Sequence, residues 1–267
     1  MSAPMPALFV SHGSPTLILE TDAPAHVFLT RLAAQLPRPR AVLVISAHWE
    51  TAIPTVSGAG APETIHDFYG FPAALYQRRY PAPGSPDTAT RVVGLLEKAG
   101  LPAATHPSRG LDHGAWAPLS LMWPQADVPA LQLSVQPQAD AAAHLALGRA
   151  LRPLLDEGVM VLGSGSATHN LRALDWRGEG RPAADWSTGF ADWLTDRVTS
   201  GDAAAAADWL KRAPDARKAH PTDDHFLPLP VAWGAAGEGA RGTVMHDSYM
   251  MGSLGMQAYR FDPISAA

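Results

Sequence analysis

The feature that most restricts this chain is a device it uses three times: a short apolar run that leads into a histidine. Ala7-Leu8-Phe9-Val10-Ser11 is followed by His12, Gly13, Ser14 and Pro15. Ala41-Val42-Leu43-Val44-Ile45 comes after a proline-rich break (Pro37, Pro39) and leads into Ser46-Ala47-His48-Trp49-Glu50. Val159-Met160-Val161-Leu162 passes through Gly163-Ser164-Gly165-Ser166 to Thr168 and His169. Apolar runs of this length without polar alternation read as strands buried on both faces, as in mostly parallel sheets. Open α/β sheets place ligand chemistry just outside the carboxyl ends of their strands. Three histidines therefore arrive at one predicted edge.

Between these runs the pattern is helical. Asp22 to Leu36 carries Val27, Phe28, Leu32 and Leu36 near one face, with Asp22 as a possible cap, and predicts the crossover of a right-handed βαβ unit. Asp87 to Ala99 reads as a helix closed by Gly100. Trp116 to Met122, Ala139 to Glu157, Pro182 to Thr199, Asp202 to Arg212 and Phe226 to Ala236 complete the set. Further strands are expected at Ile53 to Val56, Pro129 to Val135 and around Met256 to Phe261. His26 and His144 fall within helices and read as surface residues. The expected fold is one α/β domain over 1–267, with a mixed, mostly parallel central sheet flanked by helices.

Composition removes several classes of function. With 267 residues and 46% hydrophobic content there is material for one sizeable core. A formal net charge of -5 offers no broad basic field for nucleic acid or an anionic membrane. There is no cysteine, so disulfides, thiolate metal sites and thiol nucleophiles are excluded. No secretory pattern and no apolar run of about 18 residues is present, which leads to the expectation of a cytoplasmic protein. The 11 histidines are the compositional oddity. A metal site here would rest on imidazole and carboxylate, and imidazole suits Zn, Fe, Cu and Ni alike.

Other segments also carry chemistry. Ile65-His66-Asp67-Phe68-Tyr69-Gly70-Phe71-Pro72 mixes aromatic, acidic and turn residues; Phe68, Tyr69 and Phe71 are candidates for stacking on a flat ligand, or for pinning a long loop to the core. Leu111-Asp112-His113-Gly114 places His113 just before a helix, as a proton-transfer group or a loop anchor. His220-Pro221-Thr222-Asp223-Asp224-His225 offers His225 as the better ligand candidate, with Asp223 and Asp224 read as helix caps. Gly163-Ser164-Gly165-Ser166 only superficially resembles a phosphate loop, because it lacks the lysine of G-x-x-x-x-G-K-[ST] and does not fit G-x-G-x-x-G. Together these point to a mononuclear centre of neutral imidazoles with open coordination positions and a further histidine free to act as acid or base.

Met5-Pro6-Ala7-Leu8-Phe9-Val10-Ser11-His12-Gly13-Ser14-Pro15, ISAHWE, IHDFYGFP, LDHGAW, GSGSATHNL, HPTDDHFLPL and the closing DSYMMGSLGM, in this order, resemble the DODA-type extradiol ring-cleavage dioxygenases of the class III, LigB-like superfamily. The resemblance extends from Met5 almost to the C-terminus. It implies a LigB-like α/β domain and one divalent metal held by His12, His48 and His225. It implies His169 as acid/base or fourth ligand, and His113 facing the substrate. The expected substrates are a small, DOPA-like catechol and O2. Fe(II) is the expected metal for ring opening, and zinc is the alternative. One departure stands out. Better-known class III enzymes use two histidines and a carboxylate, whereas here the third ligand is histidine unless Glu50, Asp223 or Asp224 substitutes. A zinc-dependent hydrolase, or a metal-binding homologue without activity, therefore stays as the alternative. No residue pair reads as a clamp for an amino-acid carboxylate; Arg109, Arg172 and Arg177 are candidates by charge only. Oligomeric state is not legible.

Overall fold

The computed structural model describes residues 4–175 and 182–264. Its main sheet has eight strands: β1 (Ala7–Ser11), β2 (Ala41–Glu50), β3 (Thr55–Ser57), β4 (Ala104–His106), β5 (Ala130–Val135), β6 (Val159–Gly165), β7 (Gly242–His246) and β10 (Ala258–Phe261). A separate pair, β8 (Tyr249–Met250) and β9 (Leu254–Gly255), lies between the last two. The order across the main sheet is β4-β3-β5-β2-β6-β1-β10-β7. The four central strands, β5, β2, β6 and β1, are mutually parallel, while β3 joins β5 and β10 joins β1 antiparallel. This is the mixed, mostly parallel α/β sheet that the apolar runs predict. β1, β5 and β6 are buried along their whole lengths, as strands covered on both faces must be.

The parallel centre brings the three strand exits to one edge. β1 and β2 are not neighbours; both pair with β6, which lies between them. β2 also runs further than its apolar part suggests. Its pairing with β6 ends at Ser46/Ser164, and its register with β5 breaks between Ile45 and Glu50. His48 thus lies in a bulge of β2, after its pairing with β6 ends and before the strand pairs with β5 again at Glu50/Val135.

Helix Pro228–Ala235 is buried at every position. It packs close to β6 because that strand carries glycine where the helix segment crosses it. A Cβ on Gly163 would lie 2.4 Å from the Pro228 carbonyl oxygen, and one on Gly165 would lie 2.2 Å from that of His225. Ser166 N–H donates to the same His225 carbonyl at 3.0 Å. Alternation along a strand puts Gly163 and Gly165 on one face and Ser164 on the other. The G-S-G-S run is therefore a flat seat for the His225 segment.

Several local expectations are corrected. The first helix spans Pro24–Leu32 with Ala23 at its N-cap, so Asp22 does not cap it. His26 is buried and donates Nδ1–H to the Leu17 carbonyl at 2.8 Å. The helix expected over Ala139 to Glu157 is broken into Ala141–Ala150 and Pro153–Asp156, because Pro153 cannot continue the hydrogen-bond ladder. His144 is buried rather than on the surface: its Nδ1–H donates to the Asp140 carbonyl, and its Nε2 accepts from Gln136 N–H. The segment from Asp202 is likewise split, into Ala203–Ala207 and Trp209–Arg212. β7 had no counterpart in the sequence reading. Its Thr243 and Val244 are exposed, so it lacks a continuous apolar signature.

Candidate metal centre and its surroundings

His12, the residue after β1, is buried. Ser164 fixes its tautomer. The Ser164 hydroxyl spends its single proton on the Gly114 carbonyl, so at 3.0 Å from His12 Nδ1 it must accept. His12 therefore carries its proton on Nδ1 and exposes a lone pair on Nε2. That lone pair faces His48 Nε2 at 3.0 Å.

His225 arrives from the opposite side, on the turn preceding helix Pro228–Ala235. Its Nδ1–H donates to Asp224 Oδ2. Its Nε2 is buried without a hydrogen-bond partner among the described residues. Asp224 is thus not a helix cap but the group that orients His225, and Asp223 pairs with Arg217; the N-cap position, Leu227, makes no side-chain cap bond.

One nitrogen from each of His12, His48 and His225 lies within 4.8 Å of the other two. A buried orphan lone pair, a second lone pair fixed by its tautomer and a third imidazole nitrogen converge on one point. That is the donor set a divalent cation of imidazole preference needs. The charged form of each ring is disfavoured. Burial, aided by repulsion from the neighbouring imidazoles, holds His12 and His225 well below the usual histidine range. Burial is also the main cause that lowers His48 to about 4, with His113 adding to it and Asp112 and Asp67 opposing. Neutral imidazoles are the form that binds metal.

Behind His48 lies a buried polar network. Asp112 accepts from Ser46 Oγ at 2.6 Å, from Gln132 Nε2 at 2.7 Å and from Arg109 at 3.0 Å. Arg109 also lies over the Trp49 ring, so this arginine is engaged in structure. Arg172 is exposed, and Arg177 lies outside the described residues. Glu50 is exposed and is not part of the histidine cluster.

His113 is the first residue of helix His113–Met122, and its ring centroid is 3.9 Å from that of His48. Asp67 holds it twice: Oδ1 accepts the His113 backbone N–H and Oδ2 accepts Nδ1–H, both at 2.9 Å. Burial pushes the Asp67 carboxyl up, but the hydrogen bonds and charge of His113 outweigh this and leave it at about 2. Phe68, next in sequence, is buried and sets its ring edge-on to His113 at 5.7 Å. Phe71 and Tyr76 pack on Phe68, each at 5.2 Å. Tyr69 is 91% exposed. His169 stacks on His225, with centroids 3.5 Å apart and planes 6° apart. Burial lowers it to about 4, against the opposing charge of Asp224.

The five histidines singled out by sequence are therefore gathered in one place. Sequence reasoning gave no role to Asp67 or Ser164, and read Asp224 as a helix cap or a substitute ligand rather than as the partner of His225. Asp67 had a signal, an acid among aromatics in IHDFYGFP. Ser164 had one too, a hydroxyl alternating with two glycines in a buried strand.

Comparison with known proteins gives the family of the chain. Residues 6–262 match the family described as the catalytic LigB subunit of aromatic ring-opening dioxygenase, and the chain belongs to that family. A Beta vulgaris protein named 4,5-DOPA dioxygenase extradiol is 44% identical over 256 residues, covering 95% of each chain. An Escherichia coli K12 protein of the same name is 40% identical, covering 96% of this chain and 94% of its own. The crystal structure of an uncharacterized Escherichia coli K12 protein superposes with a TM-score of 0.81 at 35% identity, covering 96% of this chain and 99% of that one.

Proposed function

We propose that this LigB-family dioxygenase holds one divalent metal on His12, His48 and His225 and opens the ring of a small catechol beside its hydroxyl pair, with a DOPA-like compound as substrate. The observation that carries the reading is the convergence of the three imidazoles, with His12 Nε2 and His225 Nε2 both left as lone pairs by the partners of their Nδ1 atoms. The substrate class rests on the relatives named 4,5-DOPA dioxygenase extradiol.

Fe(II), when bound, would supply the one-electron chemistry that joins dioxygen to a catecholate; zinc has no redox chemistry to offer there. The chain's own residues would do the rest. Phe68, edge-on to His113 and backed by Phe71, would offer aromatic surface to a flat ring bound beside His113. Tyr69 is exposed and makes no ring contact with either phenylalanine among the described residues, so the stacking role falls to Phe68 and Phe71. His169 and His113 would move protons: one takes a hydroxyl proton from the catechol, and one returns a proton as the ring opens. The stacking of His169 supports an acid/base role over a fourth ligand. An imidazole nitrogen binds a metal about 2.0–2.1 Å away and near its own ring plane. Two parallel rings 3.5 Å apart do not share one ion in that way.

The test is anaerobic reconstitution with Fe(II), followed by catechols and oxygen. A coloured ring-opened product with one O2 consumed per catechol is expected. Absence of turnover with every catechol, together with ester or amide hydrolysis by the zinc-loaded chain, would overturn the reading in favour of a hydrolase. Neither activity would leave a metal-binding homologue.

A further inference from the structure

The carboxylate of Asp67 stands outside the ligand set His12, His48 and His225, yet both of its oxygens are committed to one histidine of the site. It lies in the aromatic loop, 46 residues before His113 in sequence. It meets His113 with both oxygens: Oδ1 on the backbone N–H and Oδ2 on Nδ1, each at 2.9 Å. Its next neighbour is His48 Nδ1, at 3.8 Å from Oδ2 and beyond hydrogen-bond distance. A carboxylate can only accept in this arrangement, so the proton of a neutral His113 sits on Nδ1. Nε2 is then the unprotonated nitrogen, and it has no hydrogen-bond partner among the described residues.

We infer that Asp67 is the positioning residue of His113: by gripping its backbone and its Nδ1–H together, it fixes the tautomer in which Nε2 can take a proton from the substrate hydroxyl. The catalytic part of this statement rests on the dioxygenase reading above. In the step itself the substrate O–H bond breaks, its proton passes to His113 Nε2, and the imidazolium that forms is neutralised by Asp67 across the same Nδ1–H···Oδ2 bond. Because Asp67 and Phe68 are consecutive, the loop that walls the ring-binding space also sets the proton acceptor. A shift of that loop would disturb both.

The test uses Asp67→Asn, which keeps the shape. The amide oxygen can still accept the His113 backbone N–H, but its NH2 then faces Nδ1 and selects the opposite tautomer. Long-range 15N–1H spectra of the metal-free, full-length protein read the tautomer directly. Wild type is expected to show His113 protonated on Nδ1, and the variant is expected to show it on Nε2. For the Fe(II)-loaded protein, kcat with a catechol should drop roughly 10²-fold or more, as for loss of a positioned acid/base, while KM stays within about twofold. Metal content should equal that of wild type. A wild-type spectrum with the proton on Nε2 would overturn the inference even if the variant did not fold. So would a variant that switches tautomer with kcat unchanged, or one that loses its metal. If neither protein opens any catechol, the dioxygenase reading fails while the tautomer result stands on its own.

Discussion

The rings of His169 and His225 lie face to face, 3.5 Å between centroids and 6° between planes. The two residues reach this contact from different parts of the fold, one beyond the end of β6 and the other ahead of the helix that β6 seats. The contact separates two roles that sequence alone leaves merged. His225 has its Nδ1 engaged by Asp224 and its Nε2 bare, whereas His169 covers the ligand ring. His169→Ala should therefore keep one metal per chain and lose turnover by roughly 10²–10⁴-fold. Metal analysis alongside oxygen uptake checks this. Loss of the metal would make His169 a ligand.

His48→Ala removes a half-buried ligand from a bulge of β2 beyond its apolar run, so the fold should survive while metal binding is lost. A ligand that binds only the folded chain stabilises it by about 2.7 kcal/mol at 100 times its Kd. A chelator should then lower the melting temperature of the wild type and leave that of His48→Ala unmoved. A variant that keeps full metal occupancy would refute this ligand assignment.

Asp224→Asn should leave the three ligand rings in place but weaken the hold on His225 Nδ1. Partners that orient a metal-binding histidine typically contribute 10–100-fold in metal affinity. Competition with a chromogenic chelator would measure the change, and an affinity within twofold of wild type would mean that packing alone orients His225.

How far the sequence led follows from what each signal depends on. The buried strands and their histidine exits were legible because an unbroken apolar run and a terminal polar residue are local features. Their arrival at one edge was legible because parallel strands end on the same side. Partner choice was not. Ser164 against His12, and Asp67 against His113, are contacts over 152 and 46 residues, and no local pattern encodes them. Asp224 misled for the opposite reason: an acid ahead of an apolar helix is also a good cap, and only the actual start of the helix at Pro228 decides between the two. Long helices were overdrawn where apolar periodicity continued through Pro153, and β7 was missed where an edge strand exposes its side chains.

Gly165 is where sheet and site meet, and substitution there should harm both. Its missing Cβ would lie 2.2 Å from the His225 carbonyl oxygen, a backbone atom that cannot rotate away. Gly165→Ala should destabilise by about 1–3 kcal/mol, as overpacking does, and should weaken metal binding by moving His225. Gly94 is the control, because it lies in helix Pro86–Lys98 with open space around it. Gly94→Ala should stabilise by about 0.5–1 kcal/mol. Urea midpoints and metal isotherms of the two variants should move in opposite directions for stability, and only Gly165→Ala should change the isotherm.

The metal-free chain should be acid-labile well above the carboxylate range. His48 and His169 are lowered to about 4, and His220, enclosed by Phe190, Trp209 and Phe226, is lowered by burial to about 3. An unfolded histidine takes its proton near 6.5. Between 6.5 and the folded value the unfolded chain therefore binds more protons, and stability falls as pH falls. The contribution of His48 and His169 is complete above about 6.5 and gone near 4; that of His220 continues to decline to about 3. Each group adds a slope of up to about 1.4 kcal/mol per pH unit. His220→Gln can keep a donor for the Ala167 carbonyl, which His220 Nε2–H holds at 2.9 Å, while removing one titrating group. Urea unfolding of the chelated protein from pH 7.5 to 5 should therefore be less steep in pH for His220→Gln than for wild type. Equal slopes would mean that His220 is protonated in the folded chain.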